Sequence, residues 1–321
     1  MLQRWYSRRS GLWRGTGWWN AANALTAVIR YMDVSGDRAY LGVVDNTFRR
    51  AQRRRAGFIN GFFDDNGWWA LAWVAAYDLT GDARYLAAAR RIFAHNLTGW
   101  DGTCGGGLWW NTDRRYKNAV TNELFLLLAA LLRQRVAGSR EYLGSREYLD
   151  WALRAWQWLD ASGMIGPSGL VNDGLDAGCA NNQGPTWTYN QGVILGGLTA
   201  LHQVTGEAGY LRQARVIADA ALRDLTSPAG ILAEPDEDAG CDGDQTQFKG
   251  IFARYLLELA KLDGGAAYQA FLRANADSVW RNARNGNGQL GLRWGGPFDA
   301  ADASRQSSAA EVLISAAALR A

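Results

Sequence analysis

The sequence predicts an all-α fold, an (α/α)6 barrel of six helical hairpins. Three observations carry that prediction. A phrase recurs: Val34-Ser35-Gly36-Asp37-Arg38-Ala39-Tyr40-Leu41, Leu79-Thr80-Gly81-Asp82-Ala83-Arg84-Tyr85-Leu86 and Val204-Thr205-Gly206-Glu207-Ala208-Gly209-Tyr210-Leu211, with degenerate copies at Gly144-Ser145-Arg146-Glu147-Tyr148-Leu149 and Gly264-Gly265-Ala266-Ala267-Tyr268. In each, glycine ends one helix in the left-handed conformation, the acid favours the start of the next, and Tyr-Leu begins an apolar stripe. Helical runs that differ in character flank every turn. The long connections all fall at the opposite end.

Taken in order, the predicted pairs are 18–33 with 37–54, 67–79 with 82–96, 118–136 with 145–160, 188–204 with 207–224, and 246–262 with 265–282. The first member of each is rich in small and apolar residues, as in Gly196-Gly197-Leu198-Thr199-Ala200-Leu201. The second carries more charge, as in Ala87-Ala88-Ala89-Arg90-Arg91. That asymmetry fits an inner ring buried on all sides and an outer ring with one wet face. A last inner run, 305–319, lacks a following partner, and residues 1–9, helical in character, lack a preceding one; pairing them closes the ring. Connections 55–66, 97–117, 161–187, 225–245 and 283–304 share one face. Loops of that length in a compact domain are usually functional.

The 321 residues suit one catalytic domain spanning 1–321. A formal charge of +3 argues against a nucleic-acid or membrane-surface role. No apolar run is long enough to span a membrane. Only His95 and His202 are present, so a histidine-based triad is poorly supported. The three cysteines lack metal-ligand spacing. Sixteen tryptophans exceed what a core needs and suit stacking on flat ligand faces. No leader peptide is visible, yet Leu2-Gln3-Arg4-Trp5-Tyr6 reads like the middle of a helix, which suggests a removed secretion signal.

The centre of the elaborated face is Phe62-Phe63-Asp64-Asp65-Asn66-Gly67-Trp68-Trp69. Either aspartate can cap the following helix. Two carboxyls between aromatic walls should also be hard to ionise together, so that one serves as acid while the other stays anionic. Glycosidases use such a pair. Around it, Gly105-Gly106-Gly107-Leu108-Trp109-Trp110 joins a backbone open to close approach with two indoles. Trp187-Thr188-Tyr189-Asn190-Gln191-Gly192, Asp242-Gly243-Asp244-Gln245 through Lys249, and Trp18-Trp19-Asn20 with Asn23 open three inner helices. Amides and carboxylates match sugar hydroxyls as donors and acceptors. The candidate substrate-binding set is Trp69, Asn23, Gly106, Trp109, Trp110, Asn122, Tyr189, Asn190, Asp244, Gln245 and Lys249.

In motif order, Phe63-Asp64-Asp65-Asn66-Gly67-Trp68-Trp69, Thr103-Cys104-Gly105-Gly106-Gly107-Leu108-Trp109-Trp110, Trp187-Thr188-Tyr189-Asn190-Gln191-Gly192, Asp244-Gln245 with Phe248-Lys249-Gly250-Ile251-Phe252, and Arg305-Gln306-Ser307-Ser308 resemble glycoside hydrolase family 76. The resemblance runs from about residue 2 to the end. It implies a retaining endo-α-1,6-mannanase with no metal or cofactor, in which Asp64 is the nucleophile and Asp65 the acid/base. A transglycosylase sharing the same covalent intermediate and a non-catalytic glycan-binding barrel are the rivals. Where related bacterial sequences often carry a further cysteine near Glu234-Pro235, this chain has Asp236. The resemblance thus leaves Cys241 alone and Cys104 with Cys179 as a disulfide, which suits a secreted or cell-surface protein. The implied partner is a mannan polysaccharide, bound by a monomer.

Overall fold

The computed structural model describes residues 1–136, 142–263 and 265–320. Among them are eleven α-helices: α1 (Trp18–Ser35), α2 (Leu41–Ala51), α3 (Phe63–Thr80), α4 (Ala83–Asn96), α5 (Ala119–Val136), α6 (Tyr142–Ala161), α7 (Thr188–Thr205), α8 (Ala208–Asp224), α9 (Phe248–Asp263), α10 (Ala266–Asn282) and α11 (Ala303–Ala318). The odd-numbered helices touch in the closed order α1, α3, α5, α7, α9, α11 and back to α1. They form the inner ring, and α2, α4, α6, α8 and α10 form the outer layer. The predicted all-α barrel is therefore the observed architecture.

The recurring turns work as their chemistry predicts. Gly36, Gly81 and Gly206 all have φ between 72° and 77° and return their N–H groups to the carbonyls of Met32, Tyr77 and His202. Asp82 then caps α4 by accepting from the Arg84 N–H. The turn expected between α5 and α6, and Gly264 of the last copy, lie outside the described residues. Gly144 sits inside α6 rather than in a turn, because that helix begins at Tyr142.

Close approach holds the ring together. A Cβ on Gly192 of α7 would stand 2.6 Å from the Phe252 Cα of α9, so only glycine lets those backbones meet.

Residues 1–9 correct the expectation of a twelfth helix. Leu2–Arg4 forms a single 3-10 turn, and β1 (Tyr6–Ser7) pairs antiparallel with β2 (Leu12–Trp13). Nine residues are too few for a stable helix without an apolar stripe. Tyr6 instead packs at a tilt of 57° against Trp13 with centroids 4.9 Å apart and donates its hydroxyl to the Val43 carbonyl. The Leu2–Arg4 turn still lies against α11, and β2 touches α1.

Candidate active site

Every inner helix starts on the face that carries the long loops, so six helix N-termini with their partial positive charge point toward one cup. α3 starts at Phe63 because Phe62 is extended (φ −111°, ψ 119°). Neither aspartate is the N-cap, against the capping expectation; both lie in the first turn.

Asp64 Oδ1 accepts from the Asp65 backbone N–H at 2.8 Å, and Oδ2 accepts from Trp110 Nε1 at 2.9 Å. Trp110 comes from the 97–117 connection. It is docked by bonds from the Phe63 N–H to the Trp110 carbonyl and from the Thr112 N–H to the Gly61 carbonyl, each 2.9 Å. Asp65 Oδ2 accepts from Asn60 Nδ2 at 2.6 Å. Asn60 is fixed in turn by the Phe62 N–H and by Asn66, whose Oδ1 accepts from the Asn60 N–H. On the other wall, Trp19 Nε1 donates to Asp244 Oδ1 at 2.7 Å.

These surroundings raise both carboxyls. Burial, and then the charge of Asp65, push Asp64 up to about 8. Burial pushes Asp65 up to about 6, with Asn60 and Arg55 pulling down and Asp244 pushing up. At Asp64 burial and the Asp65 charge outweigh both hydrogen bonds, and at Asp65 burial outweighs the Asn60 bond, so the pair resists double ionisation. Two N–H donors occupy both Asp64 oxygens and stabilise its anion; Asp65 keeps one oxygen without a protein donor, free to carry a proton. Donors thus stand at both acids, two at Asp64 and one at Asp65. Asp244 keeps open surface, yet the protein around its carboxyl also raises its pKa.

A second group of acids stands opposite. Asp173 accepts from the Tyr116 hydroxyl, which itself accepts from Asn182 Nδ2 at 3.1 Å. Glu123 on α5 is wholly buried with neither oxygen bonded, and burial raises its pKa far above the ordinary value, with Asp173 adding to the shift. The Tyr189 ring stacks on Phe248 at 3.9 Å, and its hydroxyl feels the charges of Asp173, Asp64 and Glu123. Sequence reasoning missed Asp173, Tyr116, Glu123 and Asn60. Asp173 and Asn60 lie in connections marked as functional, but nothing local distinguishes them from turn formers.

Of the expected binding residues, Trp110, Tyr189 and Asp244 meet at the acids, and Asn190 lies against Asp173. Asn23 is buried in α1 with both amide atoms unbonded. Five others are placed for structure. Trp69 is fully buried, packed between Trp18 and Phe58 with centroids 4.7 and 5.0 Å away. Asn122 is fully buried and staples Leu108 through both its N–H and its carbonyl. Gly106 is buried under Trp100 and Trp158 and gives its carbonyl to Lys117. Lys249 is 1% exposed, paired with Glu237 and bonded to the Leu292 carbonyl. Gln245 uses its amide oxygen on the Asp242 N–H. Trp109 faces away from the acids: its Nε1 donates to Asp101 at 2.7 Å, and Lys117 Nζ lies 4.8 Å from its ring. An adjacent pair in extended backbone must send one indole each way.

Lys117 and a disulfide shape this loop. Lys117 Nζ, nearly fully buried, donates to Asp101 and to the carbonyls of Thr103, Gly106 and Gly107. Cys104 and Cys179 are bridged with Cα atoms 5.3 Å apart, tying the 97–117 and 161–187 connections together. Cys241 is free, as expected, and burial pushes its thiol up to about 12.

The chain matches the profile of glycosyl hydrolase family 76 over residues 3–321. It is 27% identical over 334 residues to mannan endo-1,6-alpha-mannosidase DCW1 of Saccharomyces cerevisiae, covering 94% of this chain and 72% of that protein. It is 30% identical over 210 residues to a putative mannan endo-1,6-alpha-mannosidase of Schizosaccharomyces pombe, covering 60% of this chain and 46% of that one. Among solved structures, an alpha-1,6-mannanase from Salegentibacter sp. superposes with a TM-score of 0.88 at 27% identity, covering 98% of this chain and 96% of that chain. An inactive variant of that enzyme, with two consecutive aspartates changed to asparagine, holds alpha-1,6-mannotriose; it superposes with a TM-score of 0.87 at 26% identity, covering 98% of this chain and 96% of that chain.

Proposed function

The chain belongs to glycosyl hydrolase family 76, and on that footing we propose that it is a retaining endo-acting hydrolase of α-1,6-mannan. The observation that carries the reading is the adjacent acid pair at the start of α3. One carboxylate is held by two N–H donors, and the other keeps an oxygen free for a proton. The names of the relatives and the inactive double-aspartate variant of the Salegentibacter enzyme support it.

In this mechanism Asp64 attacks the anomeric carbon as Asp65 protonates the departing glycosidic oxygen. A glycosyl ester of Asp64 results. Asp65, now ionised, takes a proton from water as that water attacks the anomeric carbon from the face the leaving group vacated and breaks its bond to the Asp64 oxygen. Two inversions restore the α configuration. Inverting enzymes hold their carboxyls roughly 6.5–9.5 Å apart to admit a water; adjacent residues, with Cα atoms about 3.8 Å apart, favour direct attack. The helix N-terminus stabilises the Asp64 anion when it departs from the ester. Tyr189, Trp110 and Asp244 are proposed sugar contacts. The chain is read as one monomeric catalytic domain, and the Cys104–Cys179 bridge suits export.

The test is digestion of linear α-1,6-mannan with product sizing, followed by NMR of the anomeric proton during the first turnovers. Internal cleavage with initial release of the α-anomer is expected. Initial β-anomer would mean inversion and would bring Asp244 in as a partner of one of the pair.

A further inference from the structure

The overall charge of +3 hides a strong asymmetry. Residues 1–55 contain eleven arginines and three acids, so the remainder of the chain is net negative. In the structure three of these arginines line one groove. This groove, of about 670 Å³, runs along the N-terminal hairpin and the end of α2, walled by Ser10, Arg14, Thr16, Trp18, Arg54 and Arg55. All three arginines are exposed, and no carboxylate forms an ion pair with any of them. Elsewhere exposed arginines do find acids, as Arg49 and Arg84 do with Asp45.

The groove lies against the Asp244 wall of the cup: a Cβ on Gly17, which lines it, would stand 4.0 Å from Asp244 Oδ1. Trp18, which lines the groove, is followed by Trp19, which holds Asp244. Arg55 sits five residues before Asn60, the donor to Asp65, and its charge reaches Asp65. The charges of Asp244 and Arg55 both act on Asp65, so the groove adjoins the acid that faces the departing part of the chain in the proposed mechanism. Three guanidiniums that no carboxylate neutralises line the groove, with one Arg14 N–H given to the Arg4 carbonyl at 3.0 Å. They suit an oxyanion able to accept paired N–H bonds from each fork.

We propose that this groove binds a phosphate carried by the mannan on the leaving-group side of the cleaved bond, so that the preferred substrate is an anionic, phosphate-bearing α-1,6-mannan rather than a neutral one. This rests on the mannanase reading but adds a charge requirement to it. Arg14 and Arg54 clamp the phosphate, Arg55 links it electrostatically to the site, and Trp18 covers the sugar between them.

The test uses Asp64→Asn/Asp65→Asn protein, which binds without turnover, and calorimetry with three ligands: neutral α-1,6-mannotriose, the same trisaccharide with a phosphate monoester on its reducing-end sugar, and the same with a glycerol phosphodiester there. At low salt both charged ligands should bind about tenfold more tightly than the neutral one. The ratio should fall toward one at 0.5 M salt, as screening demands, and also when Arg14→Gln and Arg54→Gln are added. A diester preferred over the monoester identifies a bridging phosphate, and the reverse identifies a pendant one. Equal affinities for neutral and charged ligands, an unchanged ratio in the arginine variants, or no detectable binding of any ligand overturns the proposal. Failure of the wild-type protein to cleave either neutral or phosphate-bearing mannan would instead count against the hydrolase reading while leaving this binding ratio measurable.

Discussion

The two halves of the barrel interior handle buried charge in opposite ways. In the half below the cup, Glu311 of α11 is fully buried between Arg30 of α1 and Arg254 of α9, and Arg135 pairs with Asp78. In the half that opens to the loops, Glu123 is fully buried and Asp64 and Asp173 half-buried, with no cation among the described residues bonded to any of them, and all three have raised pKa values. A buried charge that is paired joins helices; one left unpaired is a reactive group whose protonation the surroundings can set. The loop end also pairs its buried cations, Lys117 with Asp101 and Lys249 with Glu237, so the missing cation rather than position along the axis marks the chemical acids.

The largest expected effect is at the loop end. Asp64→Asn should abolish turnover, and Asp65→Asn should lower kcat/KM on mannan by roughly 10²–10⁴-fold. Losses of only a few-fold in both would refute the roles. Stability should respond in the opposite sense. Carboxyls whose pKa is raised by folding hold protons more tightly in the native state, so their contribution is complete below pH 4 and is lost as pH rises through about 6 and 8. Asp64→Asn should therefore raise Tm relative to the wild type at pH 9, with the gain closing near pH 4. Thermal melts across that range check the sign.

Glu311→Ala should do the converse. It leaves Arg30 and Arg254 facing each other without their acid, at a cost of about 3–5 kcal/mol. Denaturant unfolding should show that loss while kcat of the surviving folded enzyme stays near wild type. A loss of kcat without a loss of stability would erase the distinction between the two halves.

Trp110→Phe sharpens the comparison at one hydrogen bond. Removing the Nε1 donor takes away one of the two groups that hold Asp64 as an anion. A bond to a charged group is worth about 1.5–3 kcal/mol, so kcat/KM should fall roughly tenfold or more, and the ionisation assigned to Asp64 should move to higher pH. The smallest effect belongs to Asp244→Asn. Its charge raises Asp65, so the limb of the pH–rate profile near 6 should move to lower pH by less than about one unit. Movement to higher pH would show that Asp244 does not face Asp65.

The loop end and the closed end also differ in how far they could be read in advance. The closed end was written locally. Gly36, Gly81 and Gly206, each followed by an acid and Tyr-Leu or its equivalent, state a helix stop and a helix start within eight residues. Alternation of small-apolar with charged helices then places the inner and outer layers. Even so, residues 1–9 were misread, because whether a short amphipathic segment is helix or hairpin depends on what it packs against.

By itself, the sequence determined the all-α barrel, the face that carries the long loops, and the position of Asp64-Asp65 at the start of an inner helix, since each rests on contacts within a few residues. Only the tertiary structure decided what each polar residue on that face does. Trp110 and Trp109 are neighbours of one type, yet one bonds Asp64 and the other leans on Lys117. Lys249 and Asn122 lie in or beside promising motifs, yet both are consumed by loop carbonyls. Asp173, 109 residues from Asp64, joins the site only because the ring closes and brings α3, α5 and α7 side by side. Such roles depend on which groups folding leaves without partners, and that is a property of the packed chain, not of any short stretch of it.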